Sequence, residues 1–547
     1  MSTGTEPLAS GRVALAGKLV ALGLFAAILL LPNSGDAGAL PPAAQRLAAV
    51  TALMAVLWLT QALPIAATSL IPLAAFPLLG IQTAEAVSAA YANASVFLFL
   101  GGFIIALGIE KWGLHRRMAL HIVRLVGAGP RRIVLGFMLA TGFLSMWISN
   151  TAATLLMLPI ALALVTALGE LPAAQPGPPA DAGEEPAAQR AGFDRLGLAL
   201  LLGIAYSSSI GGFTTLVGTP TNVAFQRIWR LEFPEAPEFS VGVWLAAVLP
   251  IGAIMLVAAW LTLVRGLPDL PGTERLDRRF FTERLRALGR PSRAEWLMLA
   301  VFVATALLWI FRDPLLIGEM QVLPGWGELV ERRLVGAGVS PDVARRTLHD
   351  SVVAIGMALL MFVIPARRDE YGRTEYLIDW QTAVRLPWGI LLLFGGGFAL
   401  ADAFGATGLS EWIGRHFASA VGSWPPWLLV AAVCFLLTFL TELTSNVATI
   451  STFLPLLAAT AVSVGVDPRL ILVPATISTS CAFMLPIATP PNAIVFASGR
   501  VRMGQMARYG FALNLIGVVV VTLATFALLV PQLGISLGAV PEWARRP

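Results

Sequence analysis

Two short polar motifs interrupt long apolar runs of this chain, and both contain residue types that bind small ions. The first spans residues 145–154 and reads Ser-Met-Trp-Ile-Ser-Asn-Thr-Ala-Ala-Thr; the second spans 441–450 and reads Thr-Glu-Leu-Thr-Ser-Asn-Val-Ala-Thr-Ile. An asparagine side chain left unpaired in hydrocarbon is costly, so each motif must be satisfied by protein or line a cavity. One motif alone would fit hydrogen bonding between helices equally well. Two copies at corresponding places favour a binding site.

The central asparagines, Asn150 and Asn446, each offer an amide oxygen to a cation and an amide nitrogen to a carboxylate. Thr151, Thr219 and Thr489 add hydroxyl groups that can donate to the oxygens of an anion. Neither the two motifs nor the Pro-containing segments 218–222 and 488–492 contain an arginine or lysine. Bound cations are therefore the natural counter-charge for an anionic substrate, and the pattern favours symport of an anion with cations.

The composition indicates an integral membrane protein, because 57% of the 547 residues are hydrophobic and the mean hydropathy is +0.78. The net charge of +5 does not indicate nucleic-acid binding, since the basic residues cluster in short loops that the positive-inside rule places in the cytoplasm. We expect a cytoplasmic N-terminus and an uncleaved first span over residues 13–31. Cys434 and Cys481 lack Cys-x-x-Cys spacing, so we expect no disulfide, no cysteine metal site and no cofactor.

Each motif lies in an apolar run, 133–168 or 427–464, that is too long for one span of about 20 residues. Two half-crossings that turn at the motif, a re-entrant hairpin, fit this length better than a single tilted helix. The following runs, 196–231 and 470–498, contain the segments Gly-Thr-Pro-Thr-Asn and Ala-Thr-Pro-Pro-Asn. Glycine and proline within a span predict a broken helix with free backbone groups. Half-helix N-termini attract anions, whereas half-helix C-termini coordinate cations such as Na+.

Landmarks of the first half recur in the second at a nearly constant spacing. Gly101 precedes Gly396 by 295 residues, Ser149 precedes Ser445 by 296, and Gly218 precedes Ala488 by 270. The last spacing is shorter because the first half alone contains a segment rich in Pro, Ala, Gly and acid, 170–194, which we expect to be a flexible insertion. Five crossings and a hairpin in each half make the repeats inverted, which is typical of secondary transporters.

The resulting fold is an all-α polytopic membrane protein with about 11 spans, namely two inverted repeats and one extra N-terminal span. Its predicted parts are an N-terminal segment with the first span (1–42), a first repeat (43–265), a basic cytoplasmic loop (266–293), a second repeat (294–532) and a C-terminal tail (533–547). An intramembrane enzyme would need a Ser–His pair, paired aspartates or His-Glu-x-x-His within the spans, and the spans contain none of these. An anion channel would be expected to line a continuous pore with polar positions, whereas the polarity here is confined to a few breaks.

The paired Ser-Asn-Thr-type motifs, each followed by a Gly/Ala-Thr-Pro-x-Asn break, resemble those of the divalent anion–sodium symporter family over residues 14 to 530. The resemblance implies a homodimer in the lipid bilayer with a scaffold domain and an elevator-like transport domain built from hairpins and broken helices. It implies one cation site at Ser145, Ser149, Asn150 and Gly218, and another at Thr441, Thr444, Asn446 and Ala488. Substrate contacts would fall on Asn150, Thr151, Thr219, Ser445, Asn446, Thr489 and Pro490.

From this resemblance we expect a secondary transporter, not an enzyme, in a bacterial inner membrane, moving a C4-dicarboxylate such as succinate with Na+. Sulfate or citrate transport and dicarboxylate exchange are the alternatives within the family. Val447 departs from the motif, because it replaces a hydroxyl with a methyl and removes one possible donor to the substrate. Glu442 is the only carboxylate in either motif, and a structural role at the hairpin tip and a protonation role are equally open for it.

Overall fold

The computed structural model describes residues 11–32, 40–127, 129–169, 184–268, 270, 273–317, 320–368, 372–409, 411–413, 416 and 424–545. In this part of the chain, α-helices account for most of the structure. The helices of the first half are Gly11–Leu30, Pro42–Thr60, Ile65–Thr68, Ile71–Leu78, Ala84–Tyr91, Ala94–Lys111, Leu114–Val126, Pro130–Ser145, Asn150–Gly169, Glu184–Phe213, Pro220–Glu232, Val241–Val264 and Thr273–Ala287. Those of the second half are Arg293–Ile310, Trp326–Gly336, Pro341–Thr347, Asp350–Val363, Trp380–Ala383, Trp388–Thr407, Pro426–Leu440, Asn446–Val464, Arg469–Thr479, Pro490–Ala497, Met503–Ala524 and Val530–Leu533.

A π-helical turn, Thr525–Leu529, continues the helix that begins at Met503, and a 3-10 turn spans Glu542–Ala544. Two small antiparallel hairpins are the described strands. The first pairs Leu315–Ile317 with Met320–Leu323, and the second pairs Pro365–Arg368 with Thr374–Tyr376.

Among the described residues, seven helices are long and apolar enough to cross a membrane, and seven shorter apolar helices of 10–17 residues accompany them. The span Ala191–Phe213 has 94% of its most apolar window buried inside the protein, whereas Val241–Val264 has 39%. A fully surrounded helix can carry backbone breaks and polar side chains because protein, not lipid, surrounds them. The predicted all-α polytopic membrane fold is confirmed.

The predicted hairpins are pairs of helices and not single tilted helices. The first hairpin consists of Pro130–Ser145 and Asn150–Gly169, joined by the first tip, residues 146–149. The second hairpin consists of Pro426–Leu440 and Asn446–Val464, joined by the second tip, residues 441–445. Both arms of each hairpin pack against the first part of the broken helix that follows it in sequence, Glu184–Phe213 or Arg469–Thr479.

The glycine runs of the two halves serve helix packing. A methyl group on Gly101 would lie 2.6 Å from the backbone of Ala354, and one on Gly396 would lie 2.5 Å from the carbonyl oxygen of Ser69. Both glycines therefore allow the close approach of a helix from the opposite half. This pairing joins helix Ala94–Lys111 to Asp350–Val363, and helix Trp388–Thr407 to Ile65–Thr68.

Two predicted irregular segments are partly helical. The helix that ends at Phe213 begins at Glu184, so residues 184–194 of the predicted flexible insertion 170–194 belong to it, while 170–183 lie outside the described residues. The basic segment 266–293 was likewise predicted to be a loop, yet it contains helix Thr273–Ala287.

Within the insertion, we expect the helical part to matter for stability and the remainder not to. Phe193 is 6% exposed in the hydrophobic core, so Phe193→Ala should destabilise the protein by about 3–5 kcal/mol. Residues 170–183 contain no large apolar residue other than Leu171, so deleting them should leave the melting temperature of the detergent-solubilised protein unchanged. Thermal unfolding of both variants beside the parent tests this, and equal melting temperatures for Phe193→Ala and the parent would contradict it.

Candidate ion and substrate site

The hydroxyl of Ser145, directly before the first tip, contacts both the first hairpin and the broken helix beside it. Ser145 Oγ lies 2.7 Å from Asn150 Oδ1 and 2.6 Å from the carbonyl oxygen of Ser208. One hydroxyl proton therefore serves two acceptor oxygens, and three oxygens converge with a shortage of donors. Such a cluster is suited to a small hard cation, because Na+ is coordinated by neutral oxygens of this kind.

Glycines bring the backbone of the broken helix close to this cluster. A methyl group on Gly212 would lie 2.2 Å from Asn150 Oδ1, so the asparagine amide rests directly on the main chain at this position. A methyl group on Gly218 would lie 2.4 Å from the Gly212 carbonyl oxygen and 2.8 Å from that of Ser145. Backbone carbonyls from the hairpin and from the broken helix thus converge at Gly218.

The first break, residues 214–219, is held open by side chains that replace helical hydrogen bonds. Asn222 Nδ2 donates to the carbonyl oxygens of Phe213 and Thr215 at 2.9 and 2.7 Å. Thr215 Oγ1 donates to the Met146 carbonyl oxygen in the first tip and accepts from Gly218 N at 3.0 Å. The break and the tip are therefore one connected unit.

The second tip repeats the arrangement of the first. Thr441 Oγ1 lies 2.6 Å from Asn446 Oδ1 and 3.0 Å from the carbonyl oxygen of Thr479. As at Ser145, one hydroxyl proton serves an asparagine oxygen and a backbone carbonyl of the adjacent broken helix, and Thr479 is the last residue of its helix. The sequence repeat is therefore also a repeat of hydrogen-bond geometry.

The second break, residues 480–489, is longer and uses an asparagine in the same way. Asn492 Nδ2 donates to the carbonyl oxygens of Ala482 and Leu485 at 3.1 and 3.0 Å. Thr489 Oγ1 accepts from Asn492 N at 3.4 Å and caps helix Pro490–Ala497, so its own hydroxyl proton is left free to donate. Pro486 lies within this break and has no N–H group to continue a helix.

The start of helix Pro220–Glu232, directly after the first break, meets the second break, because Thr221 Oγ1 and Ser480 Oγ lie 2.9 Å apart and both are buried. The packing is crossed between the repeats: helix Pro220–Glu232 contacts the second hairpin arm Asn446–Val464, and helix Pro490–Ala497 contacts the first hairpin arm Asn150–Gly169. Each of these four helices begins at a tip or a break. Their N-termini supply partial positive charge and free N–H groups, which suit an anion.

The remaining predicted site residues occupy the tips and helix starts with different contacts. Ser149 Oγ accepts from Ala152 N at 3.2 Å and so caps the helix that begins at Asn150. Thr444 Oγ1 bonds to Thr449 Oγ1 and to the Leu440 carbonyl oxygen, and the structure does not bring it to Asn446 by a hydrogen bond. The side chains of Thr151 and Ser445 have no hydrogen-bond partner among the described residues and are half-buried.

At the helix starts beyond the breaks, Thr219 and Thr489 are each 5% exposed, and Pro490 is exposed. Ala488 is 7% exposed at the position equivalent to Gly218. Val447, which replaces a hydroxyl-bearing residue, is 8% exposed and packs in the hydrophobic core. A hydroxyl at this position would need a partner within apolar surroundings.

Sequence reasoning missed the contributions of Ser208, Gly212, Thr215 and Asn514. The first three lie before the Gly-Thr-Pro signal, and the run Ser207-Ser208-Ser209 followed by Gly211-Gly212 was the signal that could have pointed to them. Asn514 lies on helix Met503–Ala524 and donates to Glu442 Oε1 at 2.7 Å. No local sequence pattern around Asn514 indicates that it contacts Glu442.

The tips and breaks contain one charged side chain, the Glu442 carboxylate, and it is 3% exposed. No arginine, lysine or histidine lies in residues 146–149, 214–219, 441–445 or 480–489. Helix dipoles and hydroxyl groups alone would neutralise a dianion poorly. The arrangement can therefore hold an anion best when cations occupy the oxygen clusters beside it.

Comparison with known proteins identifies the family of this chain. The model of the family described as "Sodium:sulfate symporter transmembrane region" matches residues 13–531. The chain is 38% identical over 537 residues to the "Sodium-dependent dicarboxylate transporter SdcS" of Staphylococcus aureus (strain bovine RF122 / ET3-1), covering 97% of this chain and 94% of that protein. A protein of the same name from Staphylococcus saprophyticus is 38% identical over 494 residues, covering 89% and 87% of the two chains.

A solved structure shares the fold at low sequence identity. The YdaH transporter of Alcanivorax borkumensis aligns with a TM-score of 0.50 and 15% identity, covering 82% of this chain and 86% of that one. The family and its relatives are membrane transporters rather than enzymes. By its family match and its similarity along nearly the whole chain, this protein belongs to the sodium:sulfate symporter family, the divalent anion–sodium symporters that its paired motifs resemble.

Proposed function

We propose that this protein moves a divalent organic anion, a C4-dicarboxylate such as succinate, across the bacterial plasma membrane together with Na+. The observation that carries the proposal is the repeated oxygen cluster, in which one hydroxyl at Ser145 or Thr441 serves both an asparagine oxygen and a backbone carbonyl of the adjacent broken helix. Each cluster would hold one Na+. The relatives named as sodium-dependent dicarboxylate transporters support dicarboxylate over sulfate or citrate.

In the proposed first site, Ser145, Asn150 and Gly218 contribute oxygens directly, and Ser149 shapes the helix start. In the second site the oxygens come from Thr441, Asn446 and the backbone at Ala488. Thr444 supports the second tip. Hydroxyl and amide groups would donate hydrogen bonds to the substrate carboxylates, and helix N-termini would stabilise their charge. The donors are Asn150, Thr151, Thr219, Ser445, Asn446 and Thr489, with Pro490 beside them.

For the transport movement we propose an elevator-like mechanism in a homodimer, with the two hairpins re-entrant and the N-terminus cytoplasmic. We divide the helices into two groups that meet along helix Trp388–Thr407, which contacts Asn446–Val464 and Pro220–Glu232 as well as Ala84–Tyr91. The hairpins, broken helices and helices Val241–Val264 and Met503–Ala524 pack among themselves. Helix Ala94–Lys111 packs with Asp350–Val363, and helix Trp388–Thr407 packs with Ala84–Tyr91, which would form the scaffold. The first group would carry ions and substrate past the second.

The coupling is tested by titrating sodium during succinate uptake into proteoliposomes that contain the parent, Thr441→Ala or Thr489→Ala. Thr441→Ala should raise the sodium concentration for half-maximal uptake by about tenfold, because it removes a hydroxyl worth about 1.4 kcal/mol, and saturating sodium should restore uptake. Thr489→Ala removes a donor to the substrate itself, so sodium should not restore it. By linkage, succinate affinity of the parent should rise with sodium.

Two outcomes would replace this function with another. Uptake driven equally well by internal dicarboxylate without sodium would make the protein an exchanger. Succinate flux that neither saturates nor shows counterflow would indicate an anion channel.

A further inference from the structure

Glu442 lies in the second tip, but its side chain holds the second break. The side chain is 3% exposed, and four hydrogen-bond donors surround the carboxylate. Oε1 accepts from Phe483 N, Met484 N and Asn514 Nδ2 at 2.7, 2.8 and 2.7 Å, and Oε2 accepts from Leu485 N at 2.9 Å. A carboxylate has about four lone-pair sites, so these donors leave little capacity for a cation.

The three backbone donors are groups that the broken helix has released. Helix Arg469–Thr479 ends before them, and an N–H left unpaired in this buried, apolar region would be costly. Three successive N–H groups directed at one anion form a nest, which is a favourable arrangement for a negative charge. Asn492 binds the carbonyl oxygens of Ala482 and Leu485 on the same segment. The backbone of the second break is thus held through both its donors and its acceptors.

The first half closes its break without a charge. Met146 lies 296 residues before Glu442, at the equivalent place in the first tip. There the contact runs through the main chain, since Thr215 Oγ1 donates to the Met146 carbonyl oxygen. The two repeats therefore use different chemistry to fix the same junction between tip and break.

We propose that Glu442 is a positioning residue for the second cation site: it holds residues 483–485, and through them the oxygens at Thr479 and Ala488, without binding Na+ or exchanging a proton. The proposal rests on the proposed function for the identity of the ion. The observations that carry it are the four donors on one buried carboxylate and the direct bond between Thr441 and the Thr479 carbonyl. Sodium affinity would then depend on Glu442 although the carboxylate does not contact the ion.

The first measurement is amide hydrogen exchange of the sodium-free, detergent-solubilised protein, which needs no transport. Glu442→Gln keeps the length of the side chain and one acceptor oxygen, but it removes the charge and replaces the other oxygen by an NH2 group that cannot accept from a backbone N–H. Exchange in residues 480–489 should become about tenfold faster or more, while residues 213–219 should not change. Asn514→Ala removes one donor of four and keeps the charge, so it should give a smaller change in the same segment. Glu85→Gln, at an exposed glutamate, is the matched control.

The second measurement is the sodium titration of succinate uptake. Glu442→Gln should raise the half-maximal sodium concentration about tenfold, while maximal uptake and the succinate KM at saturating sodium stay within about twofold of the parent. A general structural defect would instead lower maximal uptake and leave the sodium dependence unchanged. Unchanged exchange in residues 480–489, or unchanged sodium dependence in Glu442→Gln, would overturn the proposal. Sodium-independent uptake by the parent would overturn the proposed function. The hydrogen-exchange measurement would still test whether Glu442 holds the backbone of residues 483–485, because it does not depend on transport.

Discussion

Gly218→Ala is expected to reduce sodium-driven uptake by roughly 10- to 100-fold, because it overpacks a site where main-chain oxygens converge. The added methyl would lie 2.4 Å from the Gly212 carbonyl oxygen and 2.8 Å from the Ser145 carbonyl oxygen. Neither neighbour is the end of a flexible side chain, so the backbone of the first break or of the hairpin must move. Uptake into proteoliposomes, with sodium varied at fixed succinate, measures the loss.

The second repeat provides the matched control for this substitution. Ala488 already carries a methyl at the equivalent position, so Ala488→Gly should change uptake by no more than about threefold, at a backbone entropy cost of about 0.5–1 kcal/mol. Near-parental uptake by Gly218→Ala would show that the close approach at Gly218 is not required for ion binding.

Asn150→Ala and Asn446→Ala should each abolish uptake while the protein still folds and inserts. Asn150→Ala removes the hydrogen bond with Ser145 and the contact of the amide with the backbone at Gly212. Asn446→Ala removes the hydrogen bond with Thr441. Each change removes an amide that would serve both cation and substrate, worth about 1–3 kcal/mol per contact. No basic side chain in the tips or breaks compensates.

Saturating sodium should not restore uptake by either asparagine variant, because each variant also loses a contact to the substrate. Thr166→Ala is the matched control, since Thr166 is an exposed residue at the far end of the helix that begins at Asn150. Monodisperse elution and an unchanged melting temperature would establish folding. Uptake near the parental rate by either variant would exclude that asparagine from the site.

The tips were predictable because their signal is local. A polar cluster in the middle of an apolar run of nearly twice the length of a span leaves few structures other than a helical hairpin. The structure places the turns at residues 146–149 and 441–445, within the two motifs. The Ser145–Asn150 and Thr441–Asn446 contacts follow from their five-residue separation across a tight turn.

The extent of the breaks was not predictable, because hydrogen bonds from side chains outside each helix decide where that helix ends. The sequence predicted the first break at Gly218, yet the helix ends at Phe213. The Asn222 amide donates a hydrogen bond to the Phe213 carbonyl oxygen there. The second helix ends at Thr479, well before Ala488, since Glu442 accepts the N–H groups of residues 483–485. Local propensity cannot anticipate a partner about 40 residues away in the chain.

The second part of each broken helix packs against the hairpin of the other repeat. Helix Pro220–Glu232 packs on Asn446–Val464, and helix Pro490–Ala497 packs on Asn150–Gly169. Neither half of the chain therefore contains all the residues of the proposed substrate site, although each proposed cation site lies within one half. The two tips differ in sequence, because Glu442 in the second half occupies the place that Met146 occupies in the first. Changes at either tip must nevertheless remain compatible with a helix encoded in the other half of the gene.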